Sequence, residues 1–126
     1  MSFSLLATDF ASELLERSGL LLEALRKADA KLVTAESCTG GLVAALLTHH
    51  AGSSDVTEGG LVTYSNSMKH SVLGVGTATL QRFGAVSAET VREMAAGALR
   101  VAQDATHSVS VSGIAGPGGG AADKPV

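Results

Sequence analysis

The chain has 126 residues and a net charge of −3, from 9 basic and 12 acidic side chains. That length suits one compact domain of ~100–150 residues, and the acidic balance argues against duplex nucleic acid as a partner, which demands a basic surface. The single cysteine, Cys38, excludes an intrachain disulfide framework, and no apolar stretch approaches the ~20 residues of a membrane span.

Residues 1–9 lack a basic region followed by an apolar run, so no signal peptide is predicted. A reducing cytoplasm is the expected compartment. Hydrophobic residues make up 45% of the chain, yet aromatics are only 3% and Trp is absent. The core must therefore be close-packed Leu, Val and Ala.

Asp9 is placed to cap a helix over residues 10–28, with Phe10, Leu14, Leu21 and Leu25 at helical spacing on one face. A strand-like run, 31–36, ends in Ser37-Cys38-Thr39-Gly40-Gly41. Residues 42–47 follow as a helix apolar on nearly all sides, which belongs in the interior. Residues 51–55 read as a loop and 56–64 as a second strand, where Gly59-Gly60 marks a bulge or a close backbone approach.

Asn66 is placed to cap a short helix to about Leu73, stopped by Gly74 and Gly76. Another short helical piece runs through Leu80 and Phe83. Ser87 then caps a longer helix, with Glu89 in its first turn and an inner stripe of Val91, Met94, Ala95, Ala98, Val101 and Ala102. Residues 107–114 alternate as a half-buried strand, Val109 and Val111 on one face, Ser108, Ser110 and Ser112 on the other.

Helices alternating with strands define an α/β domain occupying residues 1–126, with three layers: helices on both faces of a central sheet. Three strands are few for such a sheet, so the chain is shorter than its natural domain or a partner completes it.

Three segments carry potential chemistry. Ser37 sits at a strand-to-helix turn, which lifts its hydroxyl to the sheet end beside helix N-terminal N–H groups. Those of residues 38–40 (Cys38, Thr39, Gly40) could hold an oxyanion or an anion. Lys69 lies in the first turn of the helix after Tyr64-Ser65-Asn66. The helix dipole opposes a cation there and burial lowers its pKa, so a neutral amine could serve Ser37 as base. The third segment runs from Ser112 and Gly113 through Gly116 to Gly120; successive N–H groups on such a loop can form a nest for phosphate.

Each segment has a plainer reading. Ser37 and Thr39 could merely cap the helix, Lys69 could be solvated, and the glycines could form a flexible loop. Cys38 is a rival nucleophile at the same turn. The four histidines show no metal-binding spacing, so no metal site is predicted.

Jointly these segments resemble the CinA C-terminal domain family. The resemblance rests on Thr34-Ala35-Glu36-Ser37-Cys38-Thr39-Gly40-Gly41, Gly59-Gly60-Leu61-Val62-Thr63-Tyr64-Ser65-Asn66, Lys69, Leu73-Gly74-Val75, Gly84-Ala85-Val86-Ser87 and Ser112-Gly113-Ile114-Ala115-Gly116-Pro117-Gly118-Gly119. It covers nearly all of the chain after about residue 30. It implies hydrolysis of nicotinamide mononucleotide to nicotinate mononucleotide and ammonia, in pyridine-nucleotide recycling. The nucleophile would be Ser37 and the general base Lys69, with Tyr64 assisting.

The resemblance further implies no cofactor, a small nucleotide as substrate, and a homo-oligomer. Family members continue past Lys124-Pro125-Val126 with another strand and helix, so the chain is expected to be C-terminally incomplete. The alternative is a non-catalytic nucleotide-binding domain of the same fold.

Overall fold

A computed structural model describes residues 9–126, with side chains from Ala11 onward. Helix α1 spans Asp9–Lys27, strand β1 Leu32–Glu36 and helix α2 Leu42–Thr48. A 3₁₀ turn at Ser53–Asp55 leads to β2, Thr57–Val62. Helices α3 (Asn66–Leu73), α4 (Thr77–Phe83) and α5 (Ala88–Val101) precede β3, His107–Val111. The expected Asp9 cap and Phe10 contact lie outside the described side chains.

The strands form one parallel sheet in the order β2-β1-β3. Parallel neighbours require crossover connections, and these share one hand. The crossover from β1 to β2 and that from β2 to β3 run in opposite directions across this order. A common hand therefore puts their helices on opposite faces, giving the three layers expected.

The central strand is buried at all five positions, and its alternation divides the core. Leu32 packs with Leu22, Leu25, Ala30, Leu47 and Val56 on the α1–α2 side. Val33 and Ala35 pack with Leu73, Val75, Met94 and Ala98 on the α3–α5 side. The core is aliphatic, as the composition required.

Gly60 lets α2 approach the sheet: a β-carbon there would stand 2.6 Å from Thr34 Oγ1 and 2.9 Å from Ala44 Cβ. The register between β1 and β2 also shifts, pairing Leu32 with Thr57 but Val33 with Gly59. The close approach expected of the pair thus falls at Gly60, and the register irregularity falls at Glu58, just before it.

Three local expectations need correction. The inner face of α1 is Ala11, Ser18, Leu22 and Leu25; Leu21 is exposed. The α3 cap is Ser65, whose Oγ accepts from Met68 N–H at 3.0 Å, with Asn66 the first helical residue. The outermost residue of the expected α5 stripe, Val101, is exposed.

The serine face of β3 turns inward onto α5. Ser108 donates to the Ala95 carbonyl at 2.8 Å and Ser110 to the Val91 carbonyl at 2.6 Å. Val109, on the opposite face, is exposed.

Candidate active site

At the carboxyl ends of the strands α2 leaves β1 on one face of the sheet and α3 leaves β2 on the other. Open α/β sheets place their ligand sites outside the carboxyl ends of their strands. Ser37 follows β1 directly, and Tyr64 and Lys69 follow β2.

Ser37 is held by main-chain bonds on both sides. Its N–H donates to the Val111 carbonyl at 2.9 Å, and its carbonyl accepts from Gly40 N–H at 3.1 Å. Gly40 and Gly41 have φ of 61° and 107°, the left-handed region that glycine occupies without strain. The turn therefore reverses the chain within a few residues and keeps Ser37 on the α3 face.

Lys69 is the fourth residue of α3 and only 1% exposed. Its Nζ lies 2.9 Å from Ser37 Oγ, 3.0 Å from the Thr63 carbonyl and 2.8 Å from the Tyr64 carbonyl. Burial pushes the amine below its ordinary 10.5, while charge at the neighbouring Cys38 opposes that shift. Neither ion pair among the described residues involves Lys69. The amine donates to all three oxygens, and the Ser37 hydroxyl in turn points to the Tyr64 carbonyl at 3.5 Å.

Tyr64 joins this cluster through its main chain. Its side chain is 71% exposed. Cys38 is half-buried, and a β-carbon on Gly113 would stand 3.3 Å from its sulfur. The glycine-rich run thus begins against the serine turn. Ser112 Oγ donates to the Ala85 carbonyl at 2.8 Å. Gly116, before a cis bond to Pro117, packs on Val126.

The expectation of unpaired N–H groups at the start of α2 is overturned in part. Glu36 fills that position, accepting from Val43 N–H at 2.9 Å, Ala44 N–H at 3.1 Å and Thr39 Oγ1 at 2.6 Å. Gly40 N–H is bonded to Ser37. The N–H groups of Cys38 and Thr39 bond to no other main-chain group among the described residues.

Sequence reasoning also missed Lys124. Its Nζ donates to the Phe83 carbonyl at 2.5 Å, fastening the last segment to the end of α4. No sequence signal marks this contact, because Lys124 stands 41 residues from Phe83 and directly follows no helix. The histidines serve locally: His50 Nε2 pairs with Ser18 Oγ at 2.7 Å, and His70 Nδ1 with the Val75 carbonyl at 2.8 Å. Among the described residues no helix is long and apolar enough to cross a membrane.

Fold and site together define an α/β domain with a buried serine–lysine pair at the carboxyl end of a parallel sheet. A model of the CinA C-terminal domain matches residues 15–126, and the chain belongs to that family. It is 52% identical over 115 residues to the nicotinamide-nucleotide amidohydrolase PncC of Escherichia coli K12, covering 91% of this chain and 69% of that protein. A CinA-like protein of Chlorobium phaeovibrioides is 49% identical over 127 residues, which cover 99% of this chain but 29% of its own length. The crystal structure of competence/damage inducible protein CihA from Agrobacterium tumefaciens superposes with a TM-score of 0.84 at 50% identity, covering 90% of this chain and 68% of that one. The chain thus spans about two-thirds of the length of the Escherichia coli protein.

Proposed function

We propose that this chain is the Ser37–Lys69 portion of an amidohydrolase that converts nicotinamide mononucleotide to nicotinate mononucleotide and ammonia. The observation that carries the reading is the 2.9 Å approach of buried Lys69 Nζ to Ser37 Oγ. The similarity to a protein named for nicotinamide-nucleotide hydrolysis supports the substrate.

Neutral Lys69 takes the Ser37 proton as Oγ attacks the carboxamide carbon. The N–H groups of Cys38 and Thr39 receive the oxyanion. The C–N bond then breaks, and ammonia leaves with the proton that Lys69 returns. Water, deprotonated by the same amine, adds to the acyl-enzyme; nicotinate mononucleotide departs and Ser37 regains its hydroxyl. The segment from Ser112 and Gly113 to Gly116 shapes the ribose-phosphate side of the pocket, and the Tyr64 ring sits at its rim. The enzyme works in the cytoplasm as a homo-oligomer, without a cofactor.

Simple phosphate binding at the α2 terminus is disfavoured, because an anion there would meet the buried Glu36 carboxylate. A Cys38 nucleophile is disfavoured because the amine bonds to the serine instead. The test is ammonia release from nicotinamide mononucleotide by the chain and by Ser37→Ala. Release by the parent alone supports the reading; equal release by both removes Ser37 from it. Retained turnover in Cys38→Ala excludes the thiol.

A further inference from the structure

Glu36 occupies a buried position, 1% exposed, immediately before the candidate nucleophile. Consecutive residues of an extended strand point to opposite faces. Ser37 therefore faces Lys69 while the Glu36 carboxylate faces α2, outside the proton-transfer cluster.

The residue preceding α2, Gly41, makes no side-chain cap bond. With φ of 107° this position favours glycine, so the cap must come from elsewhere. It comes from Glu36, whose two oxygens collect the Thr39 hydroxyl and the N–H groups of Val43 and Ala44. The start, middle and exit of the nucleophile turn thereby converge on one carboxylate. An anion suits this helix N-terminus, and two of its three bonds are to main-chain donors.

We infer that Glu36 is a positioning residue: its carboxylate fixes the turn that aims Ser37 Oγ at Lys69 and sets the Cys38 and Thr39 N–H groups. The inference rests on the Ser37 reading above. Glutamine is nearly isosteric but has one acceptor oxygen, so Glu36→Gln keeps part of the network and sets an amide against one donor. Alanine leaves all three donors unpaired. Loss of the network lets the turn drift without altering Lys69.

The experiment measures Ser37 phosphonylation by a fluorophosphonate probe alongside ammonia release, at a temperature where each variant is folded. Glu36→Gln is expected to lower both kcat and the phosphonylation rate by roughly 10- to 100-fold, the scale of small misplacements of a reacting group. KM and the pH midpoint should stay near the parent's, and Glu36→Ala should fall further. Leu22→Ala, a core change in α1, is the control: it should lower thermal stability yet leave the phosphonylation rate unchanged. Should Glu36→Gln fail to fold, Thr39→Val removes only the hydroxyl bond and should slow phosphonylation several-fold.

Parent-like phosphonylation in folded Glu36→Gln overturns the inference, leaving Glu36 a structural cap. So does a parent chain inert to the probe, which would have no poised hydroxyl to position. A parent that reacts with the probe in a Glu36-dependent way but releases no ammonia supports the positioning role and overturns the amidase reading.

Discussion

Two ionisable side chains are buried to the same degree at the site, and the fold treats them oppositely. Glu36 and Lys69 are each 1% exposed, and each lies at a helix N-terminus, one reaching into α2, the other on α3. The helix dipole has the same sign at both places. For Glu36 it favours the charge, and main-chain N–H groups complete the compensation. For Lys69 it opposes the charge, and the partners are neutral oxygens. One group is held as the acceptor that caps α2; the other is pressed toward its neutral form. Burial alone therefore does not make a residue reactive. The sign of the local field decides whether a buried group becomes a strut or a base.

The largest effect should come from abolishing that pressure. Lys69→Arg keeps a cation but cannot deprotonate. Ammonia release should fall roughly 10²- to 10⁴-fold, the usual contribution of a general base. Parent-like release by a folded Lys69→Arg chain would remove the base assignment. In the parent, turnover should rise with pH as Lys69 loses its proton, with a midpoint below 10.5.

Stability should follow the same titration. Between the lowered folded-state pKa and the unfolded value near 10.5, the unfolded chain binds more protons. Stability then rises with pH across that window. The contribution is fully present above 10.5 and is lost as pH falls through the folded-state value. Thermal melts of parent and Lys69→Met against pH should diverge in that window; parallel curves would contradict the shift.

The Ser37–Lys69 pair was legible because each residue stands at a helix start, which a strand–turn–helix pattern reveals. The role of Glu36 was not: a glutamate closing a strand carries no signal of which donors it will meet. The Thr63 and Tyr64 carbonyls were invisible because main-chain acceptors have no residue type. Three consecutive leucines, Leu20, Leu21 and Leu22, gave the middle of α1 no clear phase: Leu22 rather than Leu21 faces inward, while Leu25 is buried as expected. Ser65 and Asn66 are both good caps, so their adjacency left the α3 start ambiguous. In β3, alternation set the period but not the sense. Serine hydroxyls can satisfy themselves on helix carbonyls, which lets the polar face pack on α5.

Glycine substitutions separate the two sides of the site. Gly97→Ala drives a β-carbon into the Leu73 carbonyl, a backbone obstacle that cannot rotate away, and so forces α5 from α3 and disturbs Lys69. Gly60→Ala meets Thr34 and Ala44 side chains, and so lifts α2 and disturbs Glu36. Both should lose about 1–3 kcal/mol, Gly97→Ala the more, as measured by denaturant midpoints at constant m. A neutral outcome at Gly60 would mean that α2 is not held tightly enough for Glu36 to aim anything.

The smallest effect should come from Tyr64→Phe. Tyr64 reaches Lys69 through its carbonyl at 2.8 Å, a bond that phenylalanine keeps, while its side chain is 71% exposed. The phenol is then free to touch a bound nucleotide without holding the amine. kcat/KM should drop by less than about tenfold, the scale of one ordinary hydrogen bond, and the pH midpoint should stay in place. A drop in kcat matching that of Lys69→Arg would require the ring to swing inward when substrate binds. The neutral base would then depend on the closed site, and the field around Lys69 would be completed by the substrate as well as by the fold.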